Sequence, residues 1–472
     1  MSGQKKVQVT PRNLKLLVQE RIYNPQLRKN LSRATSTTLA KRADVVADFT
    51  QWEEMRSAAS EIKDGVIANL DTYLEQFEEN AVSAGATVHW AADAQAAQSI
   101  VYQILRDCDA KLVVKSKSMT TEEIRLGHFL EEQGIEAVET DLGEYIVQLA
   151  GELPSHITAP ALHKSREEIG ELFAKKLGID RTNDPEALTA IARDVLREKF
   201  LQADAGISGV NFAVADSGTI CIVENEGNGR LSTALPKTHI AVMGIEKLLP
   251  DMQSLTLFLQ LLARSSTGQR ITSYTSLIRG PKAKDDLDGP EDLHIIILDN
   301  GRTDILEDDD LRESLNCIRC GACLNTCPVY QTIGGHSYGT QYSGPIGAVI
   351  SPSLLGVEEA GKMPYASSLC GACAEICPVQ IDLHHLLLHQ RRKYIERQGG
   401  NPAERLLFRL WMMTMKHAAL YSVSGLLGRL AGTIFGGSNR TLPVPGWSKS
   451  REFPAPAPKS FKQLWKEHGS ER

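Results

Sequence analysis

The sequence predicts an α/β fold, followed by a cysteine-rich helical module and a helical to extended C-terminal region. Three observations carry that reading. From about residue 86 short apolar runs alternate with helical ones, seven of the nine cysteines crowd between Cys317 and Cys377, and an apolar helical stretch precedes a Pro-rich tail. A chain of 472 residues is too long for one core, and a prior of about 150 residues per domain gives roughly three units.

The N-terminal part is helical in pattern: "ADVVADFTQWEEMRSAASEIKDGVIANLDTYLEQFEENAVSAG" sets Val46, Phe49, Trp52, Met55, Ile62, Val66 and Leu70 at helical spacing. Next come "ATVHWA", a helix through "AQAAQSIVYQILRDC", then "AKLVVKS", a helix "TTEEIRLGHFLEEQG" capped by Thr120 or Thr121, and "IEAVETD". This βαβαβ order predicts a parallel sheet covered by helices in a doubly wound core. "DPEALTAIARDVLREKFLQAD" is a helix capped by Asn183 or Asp184, with Pro185 in its first turn. Beyond it the texture turns to β: "VNFAVADSGTICIVEN" with a hairpin turn at Asp216, Ser217 and Gly218, then "EGNGR", "THIAVMG" and the buried strand "LHIIILD". The expected divisions are a helical segment over 1–80, an α/β domain with an added β-meander over 81–302, a cysteine module over 303–395 and a C-terminal region over 396–472.

Within the module, "CIRCGACLNTCPV" matches C-x2-C-x2-C-x3-C-P through Cys317, Cys320, Cys323, Cys327 and Pro328, the ligand run of bacterial two-cluster ferredoxins. Three thiolates at this spacing wrap one corner of an iron–sulfur cubane, and the fourth cysteine serves the neighbouring cluster. The second run, "SSLCGACAEICPV", keeps Cys370, Cys373, Cys377 and Pro378 but has Ser367 where its first ligand belongs. Crossing assigns Cys317, Cys320, Cys323 and Cys377 to cluster 1, a 4Fe–4S centre, and Cys327, Cys370 and Cys373 to cluster 2. Three readings stay open for the eighth position: Ser367 is a weak fourth ligand through oxygen, another group or water holds that iron, or the corner is empty and cluster 2 is 3Fe–4S rather than 4Fe–4S. Zinc sites use paired C-x2-C knuckles across a longer gap, so the spacing favours iron and sulfide. Gly321 and Gly371 let the backbone approach the clusters. Cys108 and Cys221 lie in apolar surroundings and read as buried core residues.

A formal net charge of -6 leaves no basic surplus for phosphates, which argues against nucleic acid as a partner. The N-terminus has no apolar stretch of the secretory kind, so a cytoplasmic protein is expected. Arg405, Arg409, Lys416 and Arg429 interrupt "AERLLFRLWMMTMKHAALYSVSGLLGRLAGTIF" too often for a lipid span of about 20 apolar residues. A helical hairpin packed on the protein or a partner is expected there, with peripheral membrane association as the alternative. The Pro-rich tail offers Trp447, Phe453, Phe461 and Trp465 as anchors, and His384, His385, His389, Arg391 and Arg392 read as one polar helix face.

The order of "KSKSM", "ETDLGEYIVQL" and "LPKTHIAVMG", then the cysteine module with "YSGPIGAVISP" between its halves, then "PVPGW", resembles the lactate utilization protein B family. Its members are iron–sulfur subunits of a bacterial L-lactate oxidation system, and the resemblance covers essentially the whole chain. It implies a lactate-utilization α/β domain similar in fold to sugar-phosphate isomerase and CoA-transferase domains. It also implies partnership with an A subunit rich in Cys-Cys-Gly motifs and a C subunit that shares the α/β domain.

In "VVKSKSMTTEE", Lys115, Ser116, Lys117 and Ser118 follow a strand and open a helix, which makes them a candidate anion site. Glu144, His163, Lys237 and His239 are candidates for the same crevice at the carboxyl ends of the strands. No G-x-G-x-x-G run opens a helix, so the dinucleotide fingerprint is absent. Oxidising a 2-hydroxy acid needs a two-electron acceptor, and no flavin or nicotinamide motif is present. The leading expectation is an electron-transfer subunit, without catalysis of its own, of a complex that oxidises L-lactate to pyruvate. The alternatives are an α/β domain that itself oxidises a 2-hydroxy acid and an iron–sulfur redox sensor.

Overall fold

The structure is a computed structural model that describes residues 9–398, 402–435, 441–442, 448, 451–454 and 457–469. The chain divides into two compact units, Met1–Arg397 and Gln398–Arg472.

Four helices, Leu14–Arg21, Pro25–Ala47, Trp52–Ala68 and Leu70–Ser83, open the first unit. Asn24 starts the second of them by accepting the Leu27 amide, with Pro25 at the first helical position, where no amide is needed. Their apolar faces do not stand apart: Leu27, Leu31, Trp52, Ala59, Val66 and Phe77 join one core with the cysteine module and a small sheet.

The strands are β1 (Thr87–Ala91), β2 (Leu112–Lys115), β3 (Glu136–Glu139), β4 (Ala205–Gly209), β5 (Phe212–Val214), β6 (Thr219–Glu224), β7 (Thr238–Gly244), β8 (Leu248–Leu249), β9 (Tyr274–Ile278) and β10 (Asp292–Leu298). Six form a wholly parallel sheet in the order β1-β10-β7-β4-β2-β3, and β8-β5-β6-β9 form a mixed second sheet. Val113 on β2 lies opposite Ala205 on β4, and Ile295 on β10 opposite Ala241 on β7. Helices cover both faces of the parallel sheet, with Val101, Leu105 and Leu130 packed on one side and Phe173, Leu188 and Leu196 on the other. From β2 the chain moves outward to β3; from β4 it moves the other way to β7 and β10. Such a reversal leaves a crevice outside the carboxyl ends of the two strands where the winding changes direction. Gly206 keeps β4 close to the neighbouring helix, because a Cβ there would lie 1.7 Å from the Ser232 carbonyl oxygen.

The doubly wound core, the Asp184 cap and the hairpin turn at Gly218 stand as the pattern predicts. Four points differ. β4, "AGISG", is too short and glycine-rich to stand out as a strand, yet it occupies the centre of the sheet. β7, assigned by texture to a meander, pairs in parallel between β10 and β4. The helix after β2 is capped by Ser118, whose hydroxyl accepts the Thr121 amide, rather than by Thr120 or Thr121. Cys221 is buried, but Cys108 ends its helix at the surface and is exposed.

The second unit contains two consecutive helices in contact, Pro402–Lys416 and Ala418–Phe435, and a short helix Phe461–Gly469. Leu407, Phe408, Trp411, Met413, Leu426 and Leu427 are exposed on the pair. Among the described residues no helix is long and apolar enough to cross a membrane. Phe453, Phe461 and Trp465 are exposed, and Trp447 lies outside the described residues.

Candidate functional site

The two cysteine runs fold as near-repeats. In each, a non-glycine residue with left-handed backbone precedes the second ligand position, Arg319 (φ 59°) and Leu369 (φ 56°), and a glycine, Gly321 (φ 77°) or Gly371 (φ 83°), follows it. These turns start the short helices Ala322–Thr326 and Ala372–Glu375. The Arg319 amide donates to Cys317 Sγ at 3.4 Å, and the Leu369 amide donates to Ser367 Oγ at 3.1 Å.

The sulfurs sort into two groups. Cys317, Cys320, Cys323 and Cys377 line one small cavity with Ile318, Ile346, Val379 and Ile381. Cys327, from the first run, acts electrostatically with Cys370 and Cys373 of the second. Burial pushes the Cys377 thiol up to about 12, with Cys317 adding to the rise, and Cys373 up to about 11. Cys320 and Cys323 are raised for the same reasons, burial first and neighbouring thiols second. Three buried cysteines gathered with the half-buried Cys317 suit a site whose cations take up the charge of the thiolates, and an all-sulfur donor set suits iron and sulfide. The second group is more open: Cys370 is exposed, and a hydrogen bond from the Ala372 amide lowers its pKa. Tyr338 is fully buried and feels the charges of Cys323 and Cys327, one from each group.

Cations from distant parts of the chain hold these loops. Arg56 donates from Nε to the Cys377 carbonyl at 2.9 Å and from Nη2 to that of Glu375 at 2.8 Å. Arg42, over the Trp52 ring, donates to the Ile376 carbonyl at 3.2 Å. Arg391 reaches the Ser367 carbonyl at 3.1 Å and that of Pro364 at 2.8 Å. It therefore leaves the polar face in which His385 pairs with Asp382, His389 with Asp308 and Arg392 with Asp310.

A cavity of about 250 Å³ opens at the carboxyl ends of β2 and β4. Ser116, Lys117 and Ser118 line it from one side, Lys247 from another, and Arg319 and Tyr342 from the cysteine module. Lys115 does not line it: the side chain is buried and bonded to Thr121, Glu122 and Glu139. Burial would lower its pKa, but Glu139, Glu122 and Glu144 outweigh that and raise it. The remaining candidates do not converge there. Glu144 lines a separate acidic cavity with Glu122 and Glu139. His163 pairs with Glu152 and Ser155. Lys237 is exposed near Glu291. His239 is buried against Ser208, where burial holds its pKa down to about 3.

The cysteine module is locked to the α/β domain by a buried network. Arg302 bonds Glu123 from Nη1 at 2.8 Å and Nη2 at 2.9 Å, and Glu246 from Nε at 2.6 Å. The Tyr342 hydroxyl donates to Glu123 at 2.7 Å. The Arg319 guanidinium stacks over the Tyr342 ring at 4.8 Å. Arg42, Arg56, Lys247, Tyr342 and Arg302 carry no signal in the sequence as site residues; Arg319 does, since it stands between two ligand positions.

A doubly wound α/β domain joined to a module of two cysteine groups defines an iron–sulfur protein, and family models agree. The LUD domain model matches residues 74–298, the 4Fe-4S dicluster domain model 313–381, and the model for the C-terminal part of lactate utilisation protein B 389–470. The chain is 45% identical over 452 residues to lactate utilization protein B of Bacillus cytotoxicus, covering 95% of each chain. It shows the same identity and coverage to those of Bacillus thuringiensis and Bacillus cereus. The chain belongs to the lactate utilization protein B family. A solved structure of a DUF162 family protein from Deinococcus radiodurans is 14% identical, with a TM-score of 0.28 over 48% of this chain and 98% of that one.

Proposed function

We propose that the protein is the iron–sulfur electron-transfer component of a system that oxidises L-lactate to pyruvate. Cys317, Cys320, Cys323 and Cys377 would hold a 4Fe–4S cluster. Cys327, Cys370 and Cys373, with Ser367 at the fourth position, would hold a second cluster. Such clusters, when bound, supply one-electron transfer. The observation that supports this reading best is the sorting of seven cysteines into two groups that each draw on both runs. The chain's own part is to wrap the sulfurs in apolar side chains, to donate amides to them and to hold the loops with Arg42, Arg56 and Arg391. Its partners in this reading are the A subunit of Cys-Cys-Gly type and the C subunit of the lactate-utilization system, and the place of action is the cytoplasm.

The test is Cys317→Ala in anaerobically purified protein and in cells dependent on L-lactate. The reading expects loss of about half the iron and sulfide, and loss of growth. Unchanged iron content would refute the ligand assignment.

The cavity beside Arg319 favours one second reading, in which the α/β domain itself oxidises a 2-hydroxy acid. That reading requires fully loaded chain, alone, to reduce a dye with L-lactate. Absence of dye reduction removes it and leaves the relay.

A further inference from the structure

The fold uses the charges around the cavity at β2 and β4 unequally. Its three carboxylates are engaged with backbone amides. Glu224 accepts those of Gly229 at 2.7 Å and Arg230 at 2.6 Å, Glu226 that of Leu142 at 3.3 Å, and Asp141 that of Glu144 at 3.1 Å. Its three cations are not so occupied. Among the described residues the side chains of Lys117 and Lys247 make no hydrogen bond or ion pair, although Lys247 is only 9% exposed. Arg319 has a side chain 10% exposed and an Nη1 without any hydrogen-bond partner, and its contact with Glu246 is long, at 3.6 Å. Lys247 and Arg319 share one carboxylate, Glu246, so two cations face a single buried anion and a second anion would offset the cost of burying them.

We propose that this cavity binds a small carboxylate anion, with Arg319, Lys247 and Lys117 as its counter-charges. Stacking on Tyr342 fixes the plane of the Arg319 guanidinium, and a planar fork of donors matches a carboxylate through two parallel hydrogen bonds. Met119, Ile157 and Val210 supply an apolar wall for a short hydrocarbon substituent. A volume of about 250 Å³ admits a ligand of a few heavy atoms and leaves out a dinucleotide. The position, where the winding of the sheet reverses, is the one at which α/β folds bind ligands. That the carboxylate is a 2-hydroxy or 2-oxo acid rests on the functional reading above; the site itself does not.

The experiment is calorimetric titration of the anaerobically loaded full chain with L-lactate, pyruvate, malonate and inorganic phosphate, with iron and sulfide counted on every sample. We expect saturable binding of at least one carboxylate, weakened tenfold or more in Lys117→Ala and in Lys247→Met at unchanged iron content. No saturable carboxylate binding by loaded protein, or equal binding by both variants, overturns the site. Phosphate bound as tightly as the best carboxylate overturns the ligand class. Carboxylate binding that persists while Cys317→Ala cells still grow on L-lactate would count against the functional reading and not against the site.

Discussion

Ser367 Oγ receives the Leu369 amide at 3.1 Å, the counterpart of the contact that Cys317 Sγ receives from Arg319 at 3.4 Å. The serine thus keeps the loop geometry of a ligand cysteine while offering a harder oxygen donor. We predict that Ser367→Cys slows the loss of iron in air. Electron paramagnetic resonance on anaerobic protein before and after dithionite, with iron counted, is the measurement. If serine ligates, Ser367→Ala raises the signal of an oxidised three-iron cluster; identical spectra in all three proteins would mean the fourth position is held by something else.

Arg56 ties the helix Trp52–Ala68 to carbonyls on both sides of Ile376, at the last ligand position of the second run. Arg56→Ala is predicted to cost about 3 kcal/mol, the worth of two charge-assisted hydrogen bonds with a buried acceptor left over. Chemical denaturation reads that loss, and the iron of the first group should be released earlier than in the parent.

Arg302 bridges Glu123 and Glu246, and all three side chains are buried. Arg302→Met leaves Glu123 without a cation and Glu246 with only the longer Arg319 contact, and should destabilise by about 3–5 kcal/mol. Adding Glu123→Gln and Glu246→Gln to Arg302→Met should recover part of the midpoint. No recovery would show that the cost lies in packing instead of charge.

Glu144 is buried, and burial pushes its carboxyl up to about 7 against the opposing pull of Lys117. Between the ordinary 4.5 and about 7 the folded chain holds a proton that the unfolded chain has released, so stability falls as pH rises through that window. His156 and His239, held down to about 4 and about 3 by burial, act in the opposite sense and lose stability as pH falls below 6.5. The readout is therefore the difference between Glu144→Gln and the parent. It should grow in favour of the variant from pH 5 to pH 7, by up to about 3 kcal/mol. A difference that does not change with pH would place the proton elsewhere.

What was legible in the sequence is what local pattern encodes. Short apolar runs mark β2, β3 and β10, and cysteine spacing marks the two runs whose sulfurs gather into two groups, each drawing on both runs. What was not legible depends on contacts between residues far apart in the chain. Arg42 and Arg56 look like solvated helix positions until the second cysteine run is laid against them. Lys115, on a strand end before a short helix, reads as a ligand-facing cation; Glu139, on the neighbouring strand β3, draws it inward. β4 carries no strand signal because Gly206 is there for close approach to Ser232, not for strand propensity.

The exchange of Cys327 and Cys377 between the two groups also sets an order of events during synthesis. A growing chain that has emerged only as far as Cys327 presents one intact run, yet it lacks the sulfur that completes the first group and every other cysteine of the second. With the ligands proposed above, the second centre waits for Cys373 and the first for Cys377. With those ligands, a premature stop anywhere between the runs would silence both centres at once.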